Sequence, residues 1–147
     1  MGVNGKLIVS MEVKCEGHSV YDIFHINTHL IPNITPSKIK HFEIHEGEIG
    51  KVGLVASEIY NEDGREKFMK HIIEATDPQK KTGTWKVIEG DLLELYNSFI
   101  ISISIEDQWT TWTFVYEKKT EDTPEPLAFM GVVIDITKDV EGHLLKK

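Results

Sequence analysis

Three carboxylates lie within the short segment KVIEGDLLELY, residues 86–96. Glu89 and Asp91 flank Gly90, and Glu94 lies in the apolar stretch that follows. Two carboxylates can act as general acid and general base only where burial moves their pKa values apart. A turn at the end of a strand favours glycine, and the polar residues on either side of the glycine are normally exposed to solvent. We therefore interpret Glu89 and Asp91 as the solvated rim of a structural turn rather than as a catalytic pair.

The histidines show no spacing that is typical of a metal site. His41 and His45 share one face of a predicted strand, but the strand separates their backbones by about 13 Å, too far for one ion. His25 and His29 would be neighbours only on an unbroken helix, and no third ligand accompanies them. His71 has the parity of outward-facing positions in its predicted strand. We therefore predict no metal site and interpret His71 as a surface imidazole.

Nucleophilic catalysis finds little support in the sequence. Cys15, the single cysteine, has no patterned histidine partner, and no serine elbow occurs. Proton transfer in an apolar pocket would need an inward-facing acid or base. The candidates for that role are Tyr116, Lys70, Glu43 and His41, and nothing in the sequence ranks them. The catalytic residues, if the protein has any, are therefore left open.

Length and charge restrict the class of protein. We expect one domain, residues 1–147, because a chain of 147 residues buries enough core to fold without disulfides. The formal net charge of −8 should repel nucleic acid phosphates. The sequence has neither a stretch of roughly 20 apolar residues nor a basic-then-apolar leader. We expect a cytoplasmic protein with no nucleic-acid partner and no transmembrane segment.

Hydrophobic periodicity predicts an α+β domain. Alternation over 3–15 predicts a strand, and apolar spacing over 18–27 predicts a helix, followed by a short helical turn near 30–36. Further strands are predicted in succession, as in an antiparallel meander, around 39–45, 54–60, 66–76, 84–89, 97–106 and 109–118. An amphipathic helix of about 20 residues follows the prolines at 124 and 126.

Large apolar side chains are predicted to face one shared space between the sheet and the last helix. Strand parity and helical spacing assign twelve of them to this space: Phe68, Ile72, Trp85, Val87, Phe99, Ile101, Trp112, Phe114, Tyr116, Phe129, Val133 and Ile136. Because protein interiors are normally close-packed, periodicity alone favours a filled core at this place.

Several motifs spread along the chain carry a family resemblance. They are MGVNGKL at the start, KVIEGDLLELYNSF in the middle, and WTFVYEKKTEDTPEP followed by DITKDVEGHLL near the end. Together they resemble the major latex protein subfamily of plants, within the family of the birch-pollen allergen and the class-10 pathogenesis-related proteins. The resemblance covers the whole chain. It implies a helix-grip fold, in which a curved seven-stranded antiparallel sheet surrounds the C-terminal helix and two short helices separate strands 1 and 2.

The resemblance also implies an internal cavity for a hydrophobic plant small molecule, such as a lipid, steroid, phenolic or alkaloid. The twelve side chains above are then the predicted ligand contacts, and no cofactor is expected. We predict binding or carriage in defence or stress response; the alternative is an isomerase or cyclase-like enzyme that acts on a plant specialised metabolite. Condensing relatives use a lysine where this chain has Thr111, so that chemistry is not expected. The ligand and the oligomeric state, monomer or weak dimer, stay open.

Overall fold

A single antiparallel sheet forms most of the molecule. The computed structural model describes residues 2–146, which form seven strands: β1 (Val3–Glu12), β2 (Ile39–Glu46), β3 (Val55–Glu62), β4 (Arg65–Asp77), β5 (Thr82–Gly90), β6 (Tyr96–Glu106) and β7 (Trp109–Lys118). Their order across the sheet is β1-β7-β6-β5-β4-β3-β2, with antiparallel pairing throughout. β2 to β7 therefore form a meander, and β1 pairs with its last strand.

Within the same residues, four α-helices accompany the sheet. They are α1 (Gly17–His25), α2 (Ile31–Ile34), the one-turn helix α3 (Leu92–Leu95) and the long helix α4 (Leu127–Leu145). A 3-10 turn at Thr28–Leu30 joins α1 to α2. The predicted α+β fold, with its seven-stranded sheet, short helices between the first two strands and long C-terminal helix, is confirmed. The apolar periodicity does not predict α3, because a single helical turn is too short to show a period.

A carboxylate determines where α1 begins. Glu16 is the N-cap residue, and its side chain accepts the backbone N–H groups of His18 at 3.0 Å and Ser19 at 3.2 Å. These N–H groups would otherwise lack a partner, because the first turn of a helix offers them no carbonyl. α1 then runs to His25, with Val20 and Ile23 buried on its inner face. The cap thus places His25 at the end of the helix that faces the sheet.

α4 packs one face against the sheet and is tied by polar contacts to the connection before β2. Its buried side chains are Phe129, Met130, Val132, Val133, Ile136, Thr137 and Val140. The hydroxyl of Thr35 donates to Asp139 at 2.7 Å, and Lys38 lies 3.4 Å from Asp135. These contacts attach the helix to the segment between α2 and β2. No helix within residues 2–146 is both long and apolar enough to cross a membrane.

The predicted orientation of β4 is wrong. Phe68 is exposed and Ile72 is only half-buried, whereas His71 is buried together with its neighbours of the same parity. Cross-strand partners share one face of a sheet. His71 lies opposite the buried Val87, and Ile72 lies opposite the exposed Lys86. Because β4 carries apolar residues at both parities, its own sequence does not identify the inner face; its neighbour does.

Candidate functional site

An apolar cavity lies between the sheet and α4. Its empty space is about 820 Å³, a volume that includes the solvent at its open mouth. Six of the twelve predicted ligand contacts line it: Trp85, Ile101, Trp112, Phe129, Val133 and Ile136. Strands β5, β6 and β7 supply the first three and α4 supplies the others. The strand and helix patterns therefore identify two of its walls.

The rest of the lining comes from residues that the prediction did not include. Further apolar lining is provided by Phe24, Ile31, Ile39, Phe42, Leu54, Tyr60, Met69, Ile73 and Val132. Phe24 carries a usable signal, because it shares a helical face with Val20 and Ile23. The contributions of β3 and β4 depend on the orientation of β4, which the sequence pattern does not establish. The cavity therefore extends further toward β2 than the predicted contacts suggest.

Four predicted contacts are buried in the packed core instead of lining the cavity. Val87, Phe99, Phe114 and Tyr116 are buried there. Phe99 stacks on Tyr116 with ring centroids 5.7 Å apart, and Phe99 and Phe114 lie 5.8 and 5.2 Å from the ring of Phe129 in α4. Such offset and edge contacts are favourable. The sheet and the helix meet side chain to side chain here, so Phe129 marks the border between the packed core and the cavity.

Trp112 forms a fixed part of the cavity wall. Its indole N–H donates to the hydroxyl of Thr137 at 3.0 Å, and that hydroxyl donates to the carbonyl of Val133 at 2.8 Å. The ring contacts Phe24 edge-on at 5.1 Å and lies 6.1 Å from the ring of Trp85. Because the N–H is already bonded to α4, Trp112 offers a guest only its apolar surface. The wall is therefore largely preformed.

His25 is a buried, neutral imidazole at the end of the cavity near α1. It stacks between Tyr21 at 4.1 Å and Trp85 at 4.8 Å, and its Nδ1 lies 3.3 Å from the carbonyl oxygen of Tyr21. Nε2 has no hydrogen-bond partner among residues 2–146 and faces Gly83, where a β-carbon would collide with it. Burial lowers the pKa of His25 to about 4, against a smaller opposing effect of the bond to Tyr21.

This lowered pKa predicts a specific dependence of stability on pH. The unfolded chain takes up a proton at His25 below about pH 6.5, whereas the folded chain does so only near pH 4. The stability that the folded protein gains from keeping His25 neutral is therefore fully present above pH 6.5, and it is lost as the pH falls toward 4. We therefore expect the free energy of unfolding to fall less in His25→Gln than in the wild type between pH 7 and pH 5. The difference should be about 2 kcal/mol, measured by denaturant unfolding at each pH.

His29→Gln is the matched control for this measurement, because His29 is exposed just beyond α1. It should leave the slope of stability against pH as in the wild type. A wild-type slope in His25→Gln as well would mean that His25 titrates normally in the folded protein, contrary to the burial seen here.

Glu58 and His71 form a polar pair in the wall of the cavity. Nε2 of His71 lies 3.6 Å from Oε1 of Glu58, and both side chains are largely buried. β3 and β4 bring them together, because Glu58 and His71 lie on the inner face of adjacent strands. The prediction of His71 as a surface imidazole is therefore wrong. Across residues 2–146, no three His, Cys, Asp or Glu side chains converge in a way that could hold a metal ion.

Two residues that line the cavity carry buried hydroxyls. The phenol oxygen of Tyr60 and the hydroxyl of Thr28 are buried, and neither has a hydrogen-bond partner in the described part of the chain. Burial raises the pKa of the Tyr60 phenol well above its usual range, with the nearby carboxylates adding to the effect. The phenol therefore stays protonated and can either donate or accept a hydrogen bond.

The four predicted acid–base candidates do not line the cavity. His41 and Glu43 are exposed on β2 and lie 3.3 Å from each other. Lys70 is paired with a carboxylate of β5 at 3.1 Å, and Tyr116 donates to Glu125. Each of these groups already has a polar partner outside the cavity. The acid–base groups that do line it come from the inner faces of β3 and β4 and from α1.

The carboxylates that flank Gly90 stabilise the turn between β5 and α3. The backbone N–H of Asp91 donates to the carbonyl of Phe68 at 3.0 Å, and its side chain accepts the N–H of Phe68 at 2.7 Å. Glu89 lies 3.1 Å from Lys70 on the neighbouring strand. All of these contacts join β5 to β4 outside the cavity. The geometry agrees with the interpretation of this segment as a structural turn.

The whole sequence matches a known protein family. Residues 2–147 match the model of the Pathogenesis-related protein Bet v 1 family. The chain belongs to the Bet v 1 family. MLP-like proteins 31 and 43 of Arabidopsis thaliana are 35% and 34% identical to it, over 97% and 96% of this chain and 87% and 93% of theirs. The resemblance to major latex proteins is therefore confirmed.

Solved structures share the fold of this Bet v 1 family chain. The crystal structure of ginseng major latex-like protein 151 from Panax ginseng superimposes with a TM-score of 0.94 at 36% identity, covering 97% of this chain and 99% of that one. Norcoclaurine synthase from Thalictrum flavum superimposes with a TM-score of 0.81 at 17% identity, covering 99% and 89%. The second likeness shows the fold alone. The helix-grip prediction is thereby confirmed.

Proposed function

We propose that this Bet v 1 family protein binds and carries a hydrophobic plant small molecule, such as a lipid, steroid, phenolic or alkaloid, in the cavity under α4. The supporting observation is the cavity itself. Phe99 and Phe114 pack against Phe129 of α4, whereas beside Trp85 the sheet and the helix leave a cavity between them. An apolar void costs a protein about 24 cal/mol per Å³. A guest that fills the space removes that cost.

The forces that would hold the guest follow from the wall. Apolar surface transferred from water contributes about 25 cal/mol per Å², and the rings of Trp85 and Trp112 provide flat faces for an aromatic or alicyclic body. Because Trp112 is already fixed by Thr137, little conformational freedom is lost on binding. The single cysteine, Cys15, fits a reducing cytoplasm, where we propose a role in defence or stress response.

Catalysis on a bound plant metabolite, as an isomerase or cyclase, is the second candidate function. The observation that favours it is the Glu58–His71 pair, because a carboxylate beside an imidazole in an apolar space can accept and return a proton. A lysine-based condensation has no counterpart here. Thr111 alternates with the inward-facing Trp112 and bonds Ser10 at 2.7 Å, so it lies on the opposite face of the sheet.

Titration with the neutral fluorescent probe N-phenyl-1-naphthylamine tests the carrier function. We expect saturable binding by the wild type and at least a tenfold loss of affinity in Val133→Trp, because the larger side chain fills the cavity from α4. Leu127→Trp is the matched control, since Leu127 belongs to the same helix and is 64% exposed. Unchanged affinity in Val133→Trp would contradict the assigned site. Mass spectrometry of plant metabolites extracted after incubation then separates retention of an unchanged guest from its conversion.

A further inference from the structure

We propose that the cavity selects its guest by head group. It takes an apolar molecule whose polar end is a hydrogen-bond donor, either a hydroxyl or a protonated amine, and places that donor at Glu58 and His71. It rejects a carboxylate at the same position. This inference rests on the proposed function, because it names the chemistry of the molecule that the cavity carries.

The charge of the cavity wall is the first part of the argument. Among the described residues that line the cavity, Glu58 is the only carboxylate, and neither lysine nor arginine is present. His25 adds no positive charge at neutral pH, because burial lowers its pKa to about 4. A guest carboxylate would lose its water in an apolar space and would meet another carboxylate there. Fatty acids are therefore poor guests for this cavity.

The geometry of the Glu58–His71 pair is the second part. The side chains are 15% and 11% exposed, and Nε2 of His71 is the nitrogen that approaches the carboxylate. In the tautomer that carries its proton on Nε2, facing Glu58, the other ring nitrogen keeps a lone pair. That other nitrogen, Nδ1, is buried and has no hydrogen-bond partner within residues 2–146. In that tautomer, Nδ1 is a buried acceptor on a residue that lines the cavity.

The number of acceptors exceeds the number of donors at this end of the cavity. An ionised carboxylate has several lone pairs, of which His71 can engage only part. Buried acceptors that lack a donor are costly, and a guest donor satisfies them. The wall thus complements an O–H or N–H group.

Alcohols and amines share this donor chemistry but differ in charge. A hydroxyl can donate to Glu58 or to Nδ1 of His71. A protonated amine gains in addition from the negative charge of Glu58 and from the faces of Trp85 and Trp112, which attract cations. Removing the charge of Glu58 should therefore weaken the amine more than the alcohol.

Isothermal titration calorimetry with 1-decanol, decylamine and decanoate at pH 7 tests the inference, because the three compounds have alkyl chains of the same length and differ in the head group. We expect the alcohol and the amine to bind at least about tenfold more tightly than decanoate. In Glu58→Gln, the preference for decylamine over decanoate should fall by about tenfold or more. Glu89→Gln, which removes an exposed carboxylate on β5 outside the cavity, should keep the wild-type order.

The outcomes separate this inference from the proposed function. Equal or tighter binding of decanoate by the wild type, or an unchanged preference in Glu58→Gln, would overturn the head-group selection. The same holds if N-phenyl-1-naphthylamine binds while none of the three decyl compounds does. If neither the probe nor the decyl series binds, the carrier function itself fails.

Discussion

Replacement of Gly90 by alanine should lower the free energy of unfolding by about 3–5 kcal/mol. Gly90 has a φ of +124°, a conformation that residues with a side chain rarely adopt. A β-carbon would also collide with the carbonyl oxygen of Phe68. That carbonyl accepts the N–H of Asp91, so the chain cannot move away without breaking the turn between β5 and α3. Denaturant unfolding followed by circular dichroism measures the loss.

Gly64→Ala separates the two causes of this effect. Gly64 has a φ of +85°, and no atom lies within 4 Å of where its β-carbon would be. Gly64→Ala should therefore lower the free energy of unfolding by only about 1–2 kcal/mol, the penalty for a side chain in a left-handed conformation. Similar losses in the two variants would show that the positive φ alone matters and that the contact with Phe68 does not.

Trp112→Ala should both destabilise the protein and weaken binding. Removing a buried tryptophan costs about 3–5 kcal/mol of stability. Here the hydroxyl of Thr137 also loses the hydrogen bond that it accepts from the indole N–H. Because the indole forms part of the cavity wall, the affinity for N-phenyl-1-naphthylamine should fall at least about tenfold. Thermal unfolding and probe titration measure the two effects separately, and Trp112→Phe, which restores most of the apolar wall, should recover part of each.

Trp109→Ala serves as the control on the same strand, since Trp109 is 52% exposed. It should cost less than about 1 kcal/mol and leave the probe affinity unchanged. A normal affinity in Trp112→Ala, measured on protein that is still folded, would place the guest away from the wall shared by β7 and α4.

The buried face of an element with a clear hydrophobic period can be predicted from this sequence. The buried face of an element with apolar residues on both sides cannot. The alternation along β7 and the helical spacing of α4 identify the buried faces correctly, because most of the large apolar side chains of each element lie on one side. β4 carries Phe68 and Ile72 at one parity and Met69 and Ile73 at the other. Pairing with β5 decides between them, and pairing is a long-range property that a local pattern does not contain.

The cavity itself depends on a distance that residue types do not encode. Phe99 and Trp85 are both large, inward-facing and buried, yet the first belongs to the packed aromatic cluster and the second lines the cavity. The difference depends on the position along the strand, since β6 carries both Phe99 in the packed cluster and Ile101 in the cavity wall. The polar groups of the cavity are equally hard to predict, because Glu58 and His71 acquire a shared environment only when β3 and β4 pair.

The contact between His25 and Gly83 links two positions that are far apart in the chain. Any side chain at position 83 would enter the space that the imidazole occupies, so the two positions cannot vary independently. Relatives with alanine or serine in place of the glycine should carry a smaller residue in place of the histidine. Among homologous sequences, this constraint should appear as correlated substitution between the end of α1 and the start of β5.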